Sequence, residues 1–236
     1  MGDKRPVGFF DSGIGGTCIL RAFRELCPSE RTIYLADSEN CPYGNRSADE
    51  IVRLSEKNTA ELLAKGCKMI VVACNTATAA AIDVLRREHP DVPFIGLEPA
   101  VKPAALKSRT GVVAVLATKG TFNGRLYNET RRKFAKNVTV IAAVADEFVA
   151  EVERLGGFPV AELEGARLAR LEKIVRAKIE PLVAAGADHI VLGCTHFPHL
   201  KHLIEKVAGP RVSVVDPSPA VALQARRVLE ERGLLA

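Results

Sequence analysis

The sequence predicts an α/β protein built as two similar doubly wound lobes, each a parallel sheet flanked by helices, with the functional cleft between them. Three observations carry this. Short apolar runs rich in β-branched residues alternate with helix-period stretches and show no hairpin turn signals, which argues for parallel sheets covered on both faces. Two of these runs end alike: MIVVACNT (Met69 to Thr76) is answered by HIVLGCTH (His189 to His196), each with a small residue, a cysteine and a threonine after the strand. The polar turn Thr118 to Thr121 also corresponds in place to the turn Asp11 to Gly16, so the pattern restarts halfway. The expected division is 1–94 plus a returning tail, 210–236, for the lobe carrying Cys74, and 95–209 for the lobe carrying Cys194.

In chain order, Val7 to Phe10 reads as a strand, and Asp11 through Gly16 form a glycine turn before a helix bearing Ile19, Leu20, Phe23 and Leu26, which Pro28 closes. That turn lets backbone approach a ligand, but no Gly-Lys-Ser/Thr follows, so it is not a nucleotide loop. Thr32 to Ala36 is the second strand, ending in a loop with Pro42, Tyr43 and Gly44. Ser47 and Glu50 then make a capping box for a helix to Gly66. After each cysteine a helical face is expected: Ala77, Ala80, Ala81, Val84 and Leu85 in the first, Leu200, Leu203, Ile204, Val207 and Ala208 in the second. Val92 to Leu97, Gly111 to Ala117, Val138 to Ala142 and Val212 to Val215 are the remaining strands. The helical pattern from about Ala166 is expected to break at Pro181. Asp146 to Gly157 sets Glu147, Glu151 and Glu153 among apolar residues.

Composition narrows the function classes. The 236 residues are 47% hydrophobic and 26% charged, ordinary for a globular protein with substantial cores. A net charge of +5 is scattered and only 5% of residues are aromatic, so no nucleic-acid stripe emerges. No apolar run is long enough for a membrane span, and MGDKRPVGFF runs straight into a strand, which together predict a cytoplasmic protein without membrane partners. The 6 cysteines form no C-x-x-C pair and are expected to be free thiols.

Cys74 and Cys194 are therefore placed at the carboxyl ends of strands, where open sheets bind ligands, and at helix starts, which favour a thiolate. One thiol from each lobe can serve opposite faces of a substrate: removing a proton from one face and returning one to the other inverts a stereocentre. Either cysteine alone also reads as a small buried hydrophobe. The run Cys194, His196, His199 and His202 admits a competing zinc reading, which the sequence disfavours.

FDSGIGG (Phe10 to Gly16), PYGN (Pro42 to Asn45), ACNTATA (Ala73 to Ala79) and LGCTHFP (Leu192 to Pro198) together resemble the signatures of the glutamate racemases, within the aspartate/glutamate racemase superfamily, in family order and across almost the whole chain. The resemblance implies cofactor-independent interconversion of L- and D-glutamate, supplying D-glutamate for peptidoglycan, with no metal. It implies Cys74 and Cys194 as the proton-transfer residues, with Asp11 and His196 as their helpers. Ser12, Tyr43, Gly44, Asn75, Thr76, Thr121 and Thr195, with Asp11 and His196, would bind the amino acid. Glutamate is then the small-molecule partner, and a homodimer is compatible with the family. The rivals are a racemase for aspartate or a hydantoin, a single-cysteine decarboxylase, and a binding module without turnover.

Overall fold

The structure, a computed structural model, describes residues 2–134 and 137–236. The first sheet comprises β1 (Val7–Asp11), β2 (Thr32–Ala36), β3 (Met69–Val72) and β4 (Phe94–Ile95). The second comprises β5 (Val112–Ala117), β6 (Thr139–Val144), β7 (His189–Gly193) and β8 (Ser213–Val215). Every pairing is parallel, and the strand orders, β2-β1-β3-β4 and β6-β5-β7-β8, are the same when counted from the start of each half. Strands β1, β3 and β7 are buried along their whole length. Helices on both faces explain why their sequences are apolar runs rather than alternations.

Helices α1 (Thr17–Leu26), α2 (Ala48–Ala64) and α3 (Asn75–Glu88) serve the first sheet. Helices α5 (Lys119–Asn123), α6 (Arg125–Phe134), α7 (Asp146–Leu155), α8 (Gly165–Ala184) and α9 (Lys201–Ala208) serve the second. The helix after the last strand of each half crosses over. Helix α4 (Val101–Lys107) follows β4 yet buries Val101 and Ala104 against Val113, Val115 and Val191 of the second sheet. Helix α10 (Ser218–Glu231) follows β8 yet buries Val221, Ala225 and Leu229 with Val7, Phe9, Ile19 and Phe23 of the first. The lobes thus exchange their final helices.

Several sequence expectations need correction. β8 pairs with β7, so the strand that the 210 boundary gave to the first lobe lies in the second sheet, and only α10 returns. β4 is shorter than Val92 to Leu97, because the Leu97 amide donates to Thr78 Oγ1 (3.0 Å) instead of to a strand. α8 runs through Pro181, which sits in the last turn, where one missing amide leaves most of the helix ladder intact. Ser47 Oγ accepts the Glu50 amide at 3.3 Å, but Glu50 pairs with Arg46 rather than closing the box. Cys194 does not open a regular helix; a short 3₁₀ turn, Phe197–Leu200, intervenes before α9.

Asp188, just before β7, fixes the loop entering β5. It accepts hydrogen bonds from Ser108 Oγ (2.7 Å), Arg109 N (2.6 Å) and Thr110 N (3.0 Å), and pairs with His189 Nδ1 at 2.9 Å. Burial works against its charge, but His189, Ser108 and the two amides outweigh it and hold the carboxyl far below the usual range. Because the folded value is depressed, its stabilisation is fully present above the unfolded carboxyl pKa of roughly 3.9 and is lost as pH falls below it. Asp188→Asn is expected to cost about 1–3 kcal/mol at neutral pH and to flatten the acid limb of a thermal-denaturation series; an unchanged limb would refute this assignment.

Candidate active site

The first lobe's contribution is built on the turn after β1. Asp11 is fully buried and its Oδ2 accepts the Gly16 amide at 2.8 Å. Burial pushes its carboxyl up, against the pull of His196 and of hydrogen bonds from Gly16, Cys74 and Ser12. Cys74 is the N-cap of α3, where its Sγ accepts the Ala77 amide (3.4 Å) and lies 3.9 Å from Ser12 Oγ. Burial drives the Cys74 thiol well above its ordinary value and the adjacent Asp11 charge adds to this, overcoming the helix terminus. Both effects favour the neutral thiol at Cys74.

The second lobe answers with a different partner. Cys194 Sγ lies 3.7 Å from His196 Nδ1, and His196 Nε2 is 2.5 Å from Glu153 Oε1. The same Glu153 oxygen accepts the Ile14 amide of the first lobe at 2.9 Å. Burial opposes the imidazolium, but the hydrogen bonds it donates toward Cys194, Cys41 and Glu153 raise His196 well above the usual histidine range. For Glu153, burial is likewise outweighed by His196 and the Ile14 amide, which lower it. The result is an imidazolium–carboxylate pair presenting Nδ1 to the Cys194 sulfur.

These groups meet because glycines leave room. A Cβ at Gly13 would sit 2.0 Å from Glu153 Oε1, and one at Gly15 would sit 2.6 Å from His196 Nδ1. The remaining predicted residues converge on the same cleft. Thr195 Oγ1 reaches toward Asp11 (3.4 and 3.5 Å), and Thr76 Oγ1 contacts Thr118 Oγ1 (2.9 Å), which contacts Thr121 Oγ1 (3.0 Å). Gly44 packs against Thr118. Asn75 is buried with both side-chain oxygen and nitrogen unpartnered, a donor and an acceptor that an incoming polar ligand would satisfy. Tyr43 departs from a direct binding role through its hydroxyl, which donates to Asp37 Oδ2 (2.5 Å) and accepts from Asn58 Nδ2 (3.1 Å).

Two residues of the cleft escaped the sequence analysis. Glu153 was noted only as one acid among apolar neighbours, although its place beside Val149 and Val152 put it on the edge of the buried face of α7. Thr118 was noted only as part of a polar turn, where it caps α5 by accepting the Thr121 amide. The zinc reading of Cys194, His196, His199 and His202 does not assemble, since His199 Nε2 faces Gly15 O at 3.2 Å and, among the described residues, no metal-ligating group contains Cys194, His199 or His202.

The sequence profile of the Asp/Glu/Hydantoin racemase family matches residues 17–225. The chain belongs to that family. Racemases are isomerases, so this is an enzyme acting on a stereocentre. It is 44% identical to a glutamate racemase of Roseiflexus sp. (98% of this chain, 82% of that protein) and 46% identical to one of Herpetosiphon aurantiacus (98% and 87%). Among solved structures, the Escherichia coli glutamate racemase in complex with L-glutamate and the activator UDP-MurNAc-Ala superposes with a TM-score of 0.82 at 35% identity, covering 96% of this chain and 83% of that one. The Francisella tularensis glutamate racemase in complex with D-glutamate gives 0.81 at 30% identity, covering 99% and 83%.

A methyl group at position 15 would strike the ring of His196 rather than a flexible tip. Gly15→Ala in this racemase is expected to lower kcat by about 100-fold, the cost of roughly 1 Å of misplacement, while the melting temperature stays near that of the parent. Steady-state kinetics beside calorimetry will show it; undiminished kcat would mean that His196 does not need its position.

Proposed function

We propose that the protein interconverts L- and D-glutamate with Cys74 and Cys194 as the two proton carriers, without a cofactor. The observation that supports this best is the pairing of two thiols from equivalent strand ends, each beside a different proton partner in one buried cleft. One sulfur, as thiolate, takes the α-proton, and the thiol on the opposite face delivers its own to the planar carbanion. A new C–H bond forms as the old one breaks, and the proton count of the two sulfurs is conserved. Cys74, its neutral thiol favoured, is the donor in the first direction, with Asp11 beside it to return its proton. His196, oriented by Glu153, serves Cys194 in the same way.

The binding groups suit a dianionic amino acid. Asn75 offers an amide donor and a carbonyl acceptor, and the hydroxyls of Ser12, Thr76, Thr121 and Thr195 can hold carboxylate oxygens as charge develops at the α-carbon. The Tyr43–Gly44 segment contributes backbone. Because Cys74 and Cys194 are only 5% and 6% exposed, the lobes must part to admit substrate and close again to exclude water. No described helix is long and apolar enough to cross a membrane, which fits supply of D-glutamate to peptidoglycan synthesis from the cytoplasm. Aspartate differs by one methylene, worth about 1–3 kcal/mol in discrimination.

Incubation with L-glutamate in deuterated water, followed by optical rotation and proton NMR, tests both reaction and substrate. D-glutamate carrying α-deuterium is expected, with aspartate turned over more slowly; absence of both inversion and exchange would refute the reading. Cys74→Ser and Cys194→Ser are each expected to lower racemisation by about 10²–10⁴-fold without loss of fold, and a single variant turning over at nearly the parental rate would exclude the two-thiol scheme.

A further inference from the structure

Cys41 takes no part in the proton transfers, yet it stands against two groups that do. Its Sγ, a carboxylate oxygen of Glu153 and a ring nitrogen of His196 lie within 4.8 Å of one another. The three come from both lobes: Cys41 from the loop between β2 and α2, Glu153 from α7, and His196 from the turn after β7. A cavity of about 310 Å³, lined by Ser38, Cys41, Pro42, Asp146 and Glu153, leads to this point, and Asp146 adds a second acid along the way.

We propose that Cys41, Glu153 and His196 form an inhibitory binding site for a zinc ion. One thiolate, one imidazole and one carboxylate are a donor set that zinc accepts in tetrahedral geometry, with the fourth position left to water. His196 presents Nε2 to Glu153 while Nδ1 faces Cys194, so the ligating nitrogen is Nε2 and Cys194 orients the ring from behind. Zinc–ligand distances of about 2.0–2.3 Å require the His196–Glu153 contact of 2.5 Å to open slightly and Cys41 to draw in. Gly13, which has no side chain to obstruct Glu153 or Cys41, leaves them room to do so. On binding, the S–H bond of Cys41 and the Nε2–H bond of the His196 imidazolium break, both protons pass to solvent, and the freed sulfur and nitrogen lone pairs bond the metal. Zinc would then occupy the nitrogen and the carboxylate on which His196 depends, and would fasten one lobe to the other over the buried thiols.

The inhibition rests on the racemase reading above, whereas the binding does not, and the experiment separates them. Metal-stripped protein is titrated with cobalt(II), a zinc substitute whose bond to a thiolate gives a charge-transfer absorption band, and zinc uptake is measured by elemental analysis. One metal per chain and the band are expected in the parent and in the Cys74→Ser/Cys194→Ser double variant, which reports binding without turnover. Cys41→Ala and Cys41→Ser, their fold certified by circular dichroism and their inhibition normalised to each variant's own metal-free rate, are expected to lose the band and to need about 100-fold more zinc for half-inhibition, since even loss of an outer partner costs about 10–100-fold in affinity. The proposal is overturned if the parent takes up no metal, if the band survives loss of Cys41, or if zinc inhibits the Cys41 variants at the parental concentration.

Discussion

The constraint on which this structure depends is the close approach of two backbones' worth of polar groups across the cleft, made possible by the bare turn after β1. Gly13 and Gly15 have nothing beyond Cα to keep Glu153 and His196 away. The Ile14 amide can then reach Glu153, the Gly15 carbonyl can reach His199, and Thr195 can lean toward Asp11. Each lobe thereby completes the polar environment of the other, although Cys74 meets Ser12 within the first lobe and Cys194 meets His196 within the second. Glycine is used here for proximity and not for an unusual backbone angle, because none of the three turn glycines has a positive φ.

Two halves of the same topology have been furnished differently. Beside Cys74 stands a buried carboxyl, and beside Cys194 an imidazole held by a carboxylate. The carboxyl next to Cys74 discourages thiolate formation there. The two sulfurs thus sit in unlike surroundings, although the chain traces one architecture twice.

Much of this was legible in the sequence because the decisive residues lie at strand ends, where an apolar run stops and a short polar motif begins. Asp11, Cys74 and Cys194 are all of that kind. Glu153 is not: it sits 43 residues from His196, on a helix whose period marks Phe148, Val149 and Val152 as core and says nothing about what the next residue faces. The Tyr43 motif was legible, but not that Asp37 and Asn58 would consume its hydroxyl, since those partners belong to a loop end and a different helix. The exchange of α4 was invisible for a similar reason. A helix's apolar face declares that it is covered, not by which sheet.

That exchange has a mechanical consequence. Since α4 is packed with the second sheet and α10 with the first, the lobes are joined covalently by two short straps, residues 98–100 and 216–217, both leaving the carboxyl ends of edge strands. Each strap carries a proline, Pro99 or Pro217, whose ring removes one backbone torsion, and each is tightened by a local hydrogen bond, Val101 N to Pro99 O (2.7 Å) and Ser218 N to Asp216 Oδ1 (2.8 Å). Two short straps hold an edge strand of each lobe close to a helix packed on the other, which limits how far the lobes can slide apart. A site made from two bodies is thereby tethered at two points rather than one, so its halves stay in register.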